Sequence, residues 1–293
     1  RVLGLLVTDG LGDSMNWMKT FLLMTVMTLL LVGLGSLIGG RNGALIALVI
    51  AGVMNFISYW WSDKIVLRMY RAKPVGAEDT TGLYDAVREL ATQTRIPMPK
   101  VYVLPTESPN AFATGRNPDH AAVAATAGIL RILDRRELKA VMAHELGHVR
   151  NRDILISSVA ATLAGAIGYL AFGARLREMF GDRRNGGSSW LVLLGVILAP
   201  LAAALIQMAI SRNREYAADY TGAHLTHDPE ALANALLKLQ AGVARAPMGE
   251  QAATTAHLFI VNPLSGASLG KLFSTHPPVE ERVARLRALV GRV

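Results

Sequence analysis

The sequence predicts a mainly α-helical integral membrane protein, with four transmembrane helices joined to an α+β domain that carries a small β-sheet. Two observations predict the membrane part and one the domain. Stretches 21–38, 44–61, 154–172 and 190–210 contain no charged side chain and run 18 to 21 residues each, close to what crosses a hydrocarbon core of about 30 Å. Trp17, Trp60, Trp61 and Trp190 sit at the ends of these stretches, where amphipathic rings favour the interface. Between the two pairs of spans lies a polar segment with short apolar runs bounded by Pro, Asn and Asp. These read as strands next to a helix-forming run.

Along the chain the elements follow in order. Residues 1–14 look unlike a native start, whereas Met15-Asn16-Trp17-Met18-Lys19 resembles one. They read as a non-native or misassigned extension and receive no role. Residues 15–61 form a two-helix transmembrane hairpin, turned at Gly39-Gly40-Arg41-Asn42-Gly43. Without a small-residue cleavage site, the first span reads as an anchor. Residues 62–153 form the first half of a catalytic domain, opening with a helix through Leu83, Val87, Leu90 and Ala91. Strands are expected at 101–104, 110–115 and 121–125. Asp134-Arg135-Arg136-Glu137 is a capping box that starts a helix ten residues before His144. Residues 154–210 form the second transmembrane hairpin, with a buried soluble hairpin as the alternative because this stretch is rich in Ala and Gly. Residues 211–293 form the second half of the domain. Asp228-Pro229 starts a helix with Leu232, Leu236 and Leu239 on one face. Pro277-Pro278 starts the last helix, burying Val279, Val283, Leu286 and Leu289. Its charged residues read as a solvated face, with Arg282 an exception taken up below.

Composition agrees with this division. The chain of 293 residues is 52% hydrophobic and has no cysteine, which excludes disulfides and thiolate metal ligands. A net charge of +8 would suit nucleic acid, but much of the arginine lies beside the spans, where anionic lipid headgroups explain it more simply. No nucleic-acid motif is present.

The chemistry is carried by His144-Glu145-Leu146-Gly147-His148. Histidines four apart lie on one helix face, so both imidazoles reach one metal ion. Glu145 between them is placed to take a proton from water on that metal. Two histidines leave a catalytic zinc site incomplete, since three protein ligands plus water are usual. Ser211-Arg212-Asn213-Arg214-Glu215-Tyr216-Ala217-Ala218-Asp219 follows the fourth span. If spans three and four form a hairpin, Asp153 and Ser211 lie on the same membrane side, and Glu215 returns to the motif helix. His144, His148 and Glu215 are therefore the expected ligands of one zinc ion per chain, with Glu145 as general base. Asp219 is a candidate partner for the free N–H of a ligand histidine, or else a surface partner for Arg212. A third histidine on the motif helix is excluded, because Asn151 and Ile154 occupy the positions that longer pattern needs. Asp153, five residues past His148, reads as a helix-end contact. His224 and His227 read as loop histidines, and His120 and His257 carry no spacing signal.

These motifs resemble the HtpX-type membrane zinc endopeptidases. The likeness runs through residues 144–153 and 211–219, then through Ser274-Thr275-His276-Pro277-Pro278 followed by Glu281-Arg282. It extends to the CAAX prenyl endopeptidases, which are longer with more spans. The resemblance implies a zincin-like protease of the bacterial inner membrane. Its site would face the cytoplasm, and it would degrade misfolded or damaged membrane proteins without nucleotide. It further implies that Asn110, Ala111, Phe112 and Ala113 form an edge strand pairing with extended substrate. His276 and Arg282 would lie near the zinc, where they would stabilise the tetrahedral oxyanion. From its residues alone, His276 before two prolines is equally a helix-start residue.

Charge distribution supports a cytoplasmic site. Lys64, Arg68, Arg71, Lys73, Arg150, Arg152, Arg212 and Arg214 flank the polar segments, as the positive-inside bias expects. Arg175, Arg177, Arg183 and Arg184 in the opposite loop run against it, and the balance favours the first group. If the last two apolar helices instead pack on the domain, this conflict disappears. Two rival functions remain, a CAAX-type processing protease and a non-catalytic membrane scaffold. An intact set of His144, Glu145, His148 and Glu215 argues against the scaffold.

Overall fold

The computed structural model describes residues 8–165, 211–264 and 277–293 of the chain. Helix α1 (Thr8–Met69) is a helical run broken at Gly39 and Gly40, where Gly40 has φ 58° and ψ −142°. A side chain is strained in that conformation, so glycine permits the reversal. A polar clip joins the two arms, with Asn55 Nδ2 donating to Thr28 Oγ1 at 2.9 Å and to the Met24 carbonyl at 3.4 Å. Trp17–Leu37 and Gly39–Met69 are both long and apolar enough to cross a membrane. Most of their side chains face outward, among them Phe21, Leu22, Leu29, Leu45, Ile46 and Val49. Apolar surface of that extent suits lipid.

A third apolar helix, α5, is described over Ile154–Gly165. Its Leu155, Ile156, Val159, Ala160, Leu163 and Ala164 pack against Leu23 and Met27 of the first arm. The rest of the third expected span and all of the fourth lie outside the described residues. Among those residues there are therefore two candidate spans, and four are not established.

The polar segments build the domain. Strand β1 (Lys73–Val75), unforeseen in the sequence, precedes helix α2 (Leu83–Thr94). Strands β2 (Lys100–Leu104), β3 (Ala111–Gly115) and β4 (Ala121–Thr126) follow. The sheet order is β1-β2-β4-β3, with β2 and β4 parallel and the other pairs antiparallel. This order leaves β3 at an edge. The short helix α3 (Ala127–Ile132) leads to α4 (Arg135–Arg150), which carries the histidine motif. The predicted capping box is formed: Asp134 accepts from the Glu137 backbone and Glu137 from the Asp134 backbone. Such a cap is worth about 1 kcal/mol. Lys238 adds an ion pair to Glu137 at 2.7 Å.

Helices α6 (Arg212–Thr226), α7 (Pro229–Arg245) and α8 (Val279–Arg287) close over α4. The predicted faces are the buried ones: Leu83, Val87, Leu90, Leu232, Leu236, Leu239, Val283 and Leu286 all join one core. Leu289 only packs on its margin. The other sheet face meets the end of α1, where Phe112, Phe259 and Tyr70 stack edge-on or tilted at 5.3–6.1 Å.

Candidate active site

Helix α4 is buried through its middle: Val141, Met142, Ala143 and Leu146 are buried along with His144 and Glu145. Only its ends, at Arg135, Arg136 and Arg150, are exposed, so packing fixes the motif side chains before any ligand arrives. Helix α6 lies directly against it. A Cβ on Gly222 would stand 3.0 Å from the His144 backbone nitrogen and 3.2 Å from its Cα. Glycine allows this approach, and the approach delivers Glu215 and Asp219 to the histidines.

The Nε2 atoms of His144 and His148 stand 3.2 Å apart, with the rings perpendicular at 88°. Glu215 Oε2 lies 3.8 Å from His144 Nε2, and Oε1 lies 3.6 Å from His148 Nε2. The ligand atoms of these three residues all fall within 4.8 Å of one another.

Each histidine is held from behind by a carboxylate. Asp219 Oδ1 is 2.9 Å from His144 Nδ1, and Asp153 Oδ2 is 3.0 Å from His148 Nδ1. A carboxylate takes a hydrogen bond only from a protonated nitrogen, so both rings carry a proton on Nδ1, which leaves Nε2, once it is bare, as the nitrogen whose lone pair points inward. Two imidazole nitrogens and one carboxylate converging on a point form a donor set suited to a divalent transition ion such as zinc.

Asp219 is itself gripped by Arg282, whose Nε and Nη2 donate to its two oxygens at 2.8 and 2.7 Å. Arg282 Nη1 donates to the Ile260 carbonyl at 2.7 Å. Arg282 is fully buried, and so its charge stands in low dielectric beside Asp219. Despite burial, the guanidinium and the His144 contact lower the Asp219 pKa to about 2. Arg282 thus reaches the site through Asp219 and also directly, its Nη1 lying 3.8 Å from Glu215 Oε2.

The titration pattern follows burial and neighbours. Burial raises the Glu145 pKa to about 7, against the pull of nearby His148. One carboxylate oxygen, Oε1, is buried without a hydrogen-bond partner among the described residues. For His148, burial disfavours the charge, but the Asp153 hydrogen bond and Glu215 outweigh it and raise the pKa to about 9. Burial lowers that of His144.

A pocket opens over these groups, lined by Ala113, His144, Glu145, His148, Ile154, Ser157, Glu215 and the run His257–Ile260. Its empty volume is about 360 Å³. Of the four residues expected to pair with substrate, Ala113 lines it. Asn110 instead clips the chain to Val261, donating to its carbonyl at 2.7 Å. Ala111 accepts from the Ile260 backbone, and Phe112 points into the aromatic cluster. His276 lies outside the described residues.

Two residues of the site carried no recognisable sequence signal. Asp153 comes round to His148 because the chain leaves the helix after Arg150, with Arg152 at φ 55°; helical spacing alone points it elsewhere. His257 reaches the pocket wall, its Nε2 3.1 Å from the Ser157 carbonyl. His120 is exposed and His227 ends α6 in the left-handed region. His224 stacks on Tyr220, away from the pocket.

Comparison with known proteins agrees with this geometry. The chain is 58% identical over 277 residues to "Protease HtpX homolog" of Syntrophotalea carbinolica, covering 93% of this chain and 98% of that one. It is 52% identical over 276 residues to the protein of the same name from Pyrococcus furiosus, covering 93% and 96%. Among solved structures it resembles S. mikatae Ste24p with a TM-score of 0.50 and 17% identity, covering 96% of this chain and 67% of that one. That likeness is one of fold. Residues 77–290, which hold strands β2–β4, the motif helix, Glu215 and Arg282, match Peptidase family M48, and the chain belongs to that family.

Proposed function

We propose that this metalloendopeptidase is a zinc enzyme, embedded in the bacterial inner membrane with its site on the cytoplasmic side, that hydrolyses misfolded or damaged membrane proteins. The observation that carries the reading is the convergence of His144 Nε2, His148 Nε2 and the Glu215 carboxylate beside a buried Glu145. His144, His148 and Glu215 are the ligands. A bound zinc ion supplies Lewis-acid polarisation of the scissile carbonyl and of the attacking water.

The protein groups do the rest. Asp219 and Asp153 hold the two imidazoles in the ligating tautomer, and Arg282 keeps Asp219 ionised and oriented. Glu145, with a pKa of about 7 in the metal-free site, takes the proton of the attacking water and returns it to the departing amine. The backbone of Ala113, hydrogen-bonded to Glu145, fixes that carboxyl and marks where substrate backbone lies. His276 is an N–H donor for the oxyanion. The apolar arms of α1 place the cleft at the membrane, where damaged membrane proteins expose unfolded chain. Lys64, Arg68, Arg150, Arg152 and Arg212 at the span ends favour a cytoplasmic site.

The test is metal content and casein cleavage of the detergent-purified chain beside Glu145→Gln. Bound zinc in both with cleavage only in the parent supports the reading. Equal cleavage in both would sink the assignment of Glu145. Zinc without cleavage in either would point to a narrow processing enzyme, examined next with a prenylated peptide.

A further inference from the structure

The second arm of α1 ends in an aromatic cluster. Trp60 packs on Phe56 at 6.2 Å and on Tyr59 at 5.4 Å, and Trp61 meets Phe56 at 5.7 Å. Phe56, Trp60 and Trp61 remain 40–56% exposed, which suits rings at a lipid–water boundary. A polar turn of the domain comes down on this cluster. Arg116, directly after β3, holds its guanidinium 4.4 Å from the centre of the Trp60 ring. The turn itself fixes it there. Asn117 Oδ1 accepts from the backbone N–H and from Nδ1 of His120, so His120 Nε2 is bare and accepts from Arg116 Nη2 at 2.8 Å. One and two turns beyond Trp60, the same helix face carries Lys64 and Arg68, both exposed. Charge pairing sets this group apart. Elsewhere on the domain Arg88, Arg131, Arg136, Arg285 and Arg287 each meet a carboxylate. Among the described residues Lys64, Arg68 and Arg116 meet none, and neighbouring Asp63 and Asp119 pair with none of the three.

We propose that Arg116, Lys64 and Trp60 form a binding site for the phosphate headgroup of an acidic phospholipid, which ties the β3–β4 turn to the membrane surface. This rests on the placement of α1 in a bilayer. A guanidinium stacked on a ring uses its face there and keeps its N–H rim for oxygen acceptors, in the paired geometry that phosphate accepts. Of its five donors His120 engages one. Lys64 supplies a second charge one turn from Trp60, and the ring offers apolar surface to the first carbons of the acyl chains. Position selects lipid as the occupant, because Trp60 closes an apolar arm and the headgroup layer begins where such an arm ends. Ala113, three residues before Arg116, lines the pocket, and three extended residues span no more than about 10 Å. The bound headgroup therefore holds the pocket beside the membrane surface.

Trp60 itself can report the lipid beside it. With Trp17, Trp61 and Trp190 replaced by Phe it is the one tryptophan of the chain, and bromine on a neighbouring acyl chain quenches its fluorescence. The full chain is reconstituted in phosphatidylcholine vesicles with rising fractions of brominated phosphatidylglycerol. Quenching should show phosphatidylglycerol enriched beside Trp60 over its bulk share. Arg116→Gln should lower that enrichment about fivefold, the effect of one basic residue near an anionic surface, and Arg116→Lys should keep part of it. Arg88→Gln removes an equal charge from a residue already paired with Asp85 and should leave the enrichment unchanged. Quenching that follows the bulk composition, or an equal fall in Arg88→Gln and Arg116→Gln, would overturn the site. Inorganic phosphate on both sides of the vesicle separates a lipid from a free ion. Enrichment lost in phosphate but kept in sodium chloride of the same ionic strength would mean a free-phosphate site and overturn the lipid assignment. A Trp60 quenched by no brominated lipid, phosphatidylcholine included, would overturn the bilayer placement of α1, and this inference with it.

Discussion

Arg282 and Asp219 form a buried two-pronged ion pair at 2.8 and 2.7 Å, and the outer face of that pair is His144. A guanidinium meets a carboxylate in this way only when both are held rigidly. The pair therefore acts as the back wall of His144.

Replacing Arg282 with Met leaves Asp219 buried without its counter-charge, which typically costs about 3–5 kcal/mol. We expect a lower melting temperature and a partial recovery in Arg282→Lys, whose point charge cannot grip both oxygens. Thermal unfolding in detergent measures this. An unchanged melting temperature in Arg282→Met would mean the pair contributes nothing to the fold.

Asp153→Asn should weaken zinc binding by roughly 10- to 100-fold while leaving the fold intact. Asp219→Asn should weaken it as well and also lower stability, because it leaves Arg282 buried without its counter-charge. Competition against a chelator of known affinity reads this directly. If Asp153→Asn binds zinc as the parent does, Asp153 is only a contact at the end of α4.

Gly222→Ala places a methyl 3.0 Å from the His144 backbone. Neither backbone yields cheaply, so α6 must move outward, carrying Glu215 with it. Overpacking of this kind costs about 1–3 kcal/mol, and zinc affinity should fall alongside stability. Gly249, where an added Cβ meets nothing within 4 Å, serves as the control: Gly249→Ala should leave zinc affinity unaltered.

Zinc binding should release a proton at neutral pH. In the metal-free site His148 keeps its proton up to about pH 9, because Asp153 and Glu215 outweigh burial. A ligating nitrogen must be bare, so binding at pH 7 expels about one proton from His148. Above about 9 that release vanishes. Calorimetry in two buffers of different ionisation enthalpy counts the proton, and identical apparent enthalpies at pH 7 would refute it. Sign follows from linkage: a histidine pKa raised above 6.5 stabilises the metal-free fold fully below 6.5. That contribution is lost as pH rises through about 9, so the metal-free melting temperature should decline across this window.

Local rules determined much of this protein. The four-residue spacing of His144 and His148 put both on one helix face, and Asp134 with Glu137 marked where that helix begins. Apolar periodicity named Leu83, Val87, Leu232 and Leu236 as core, and runs without charge announced the arms of α1. Glu215 was legible on the expectation that residues 154–210 form a hairpin that brings the chain back to the same side. Tertiary structure decided what lies across the chain. Asp153 reaches His148 only after a left-handed turn at Arg152, and Arg282 meets Asp219 only because α8 packs on α6. Asn110 and Ala111 looked open to substrate as a strand edge, yet residues 150 positions later close over them. Periodicity reports which face of an element is apolar, whereas partners for a buried charge or a strand edge depend on which elements meet in space.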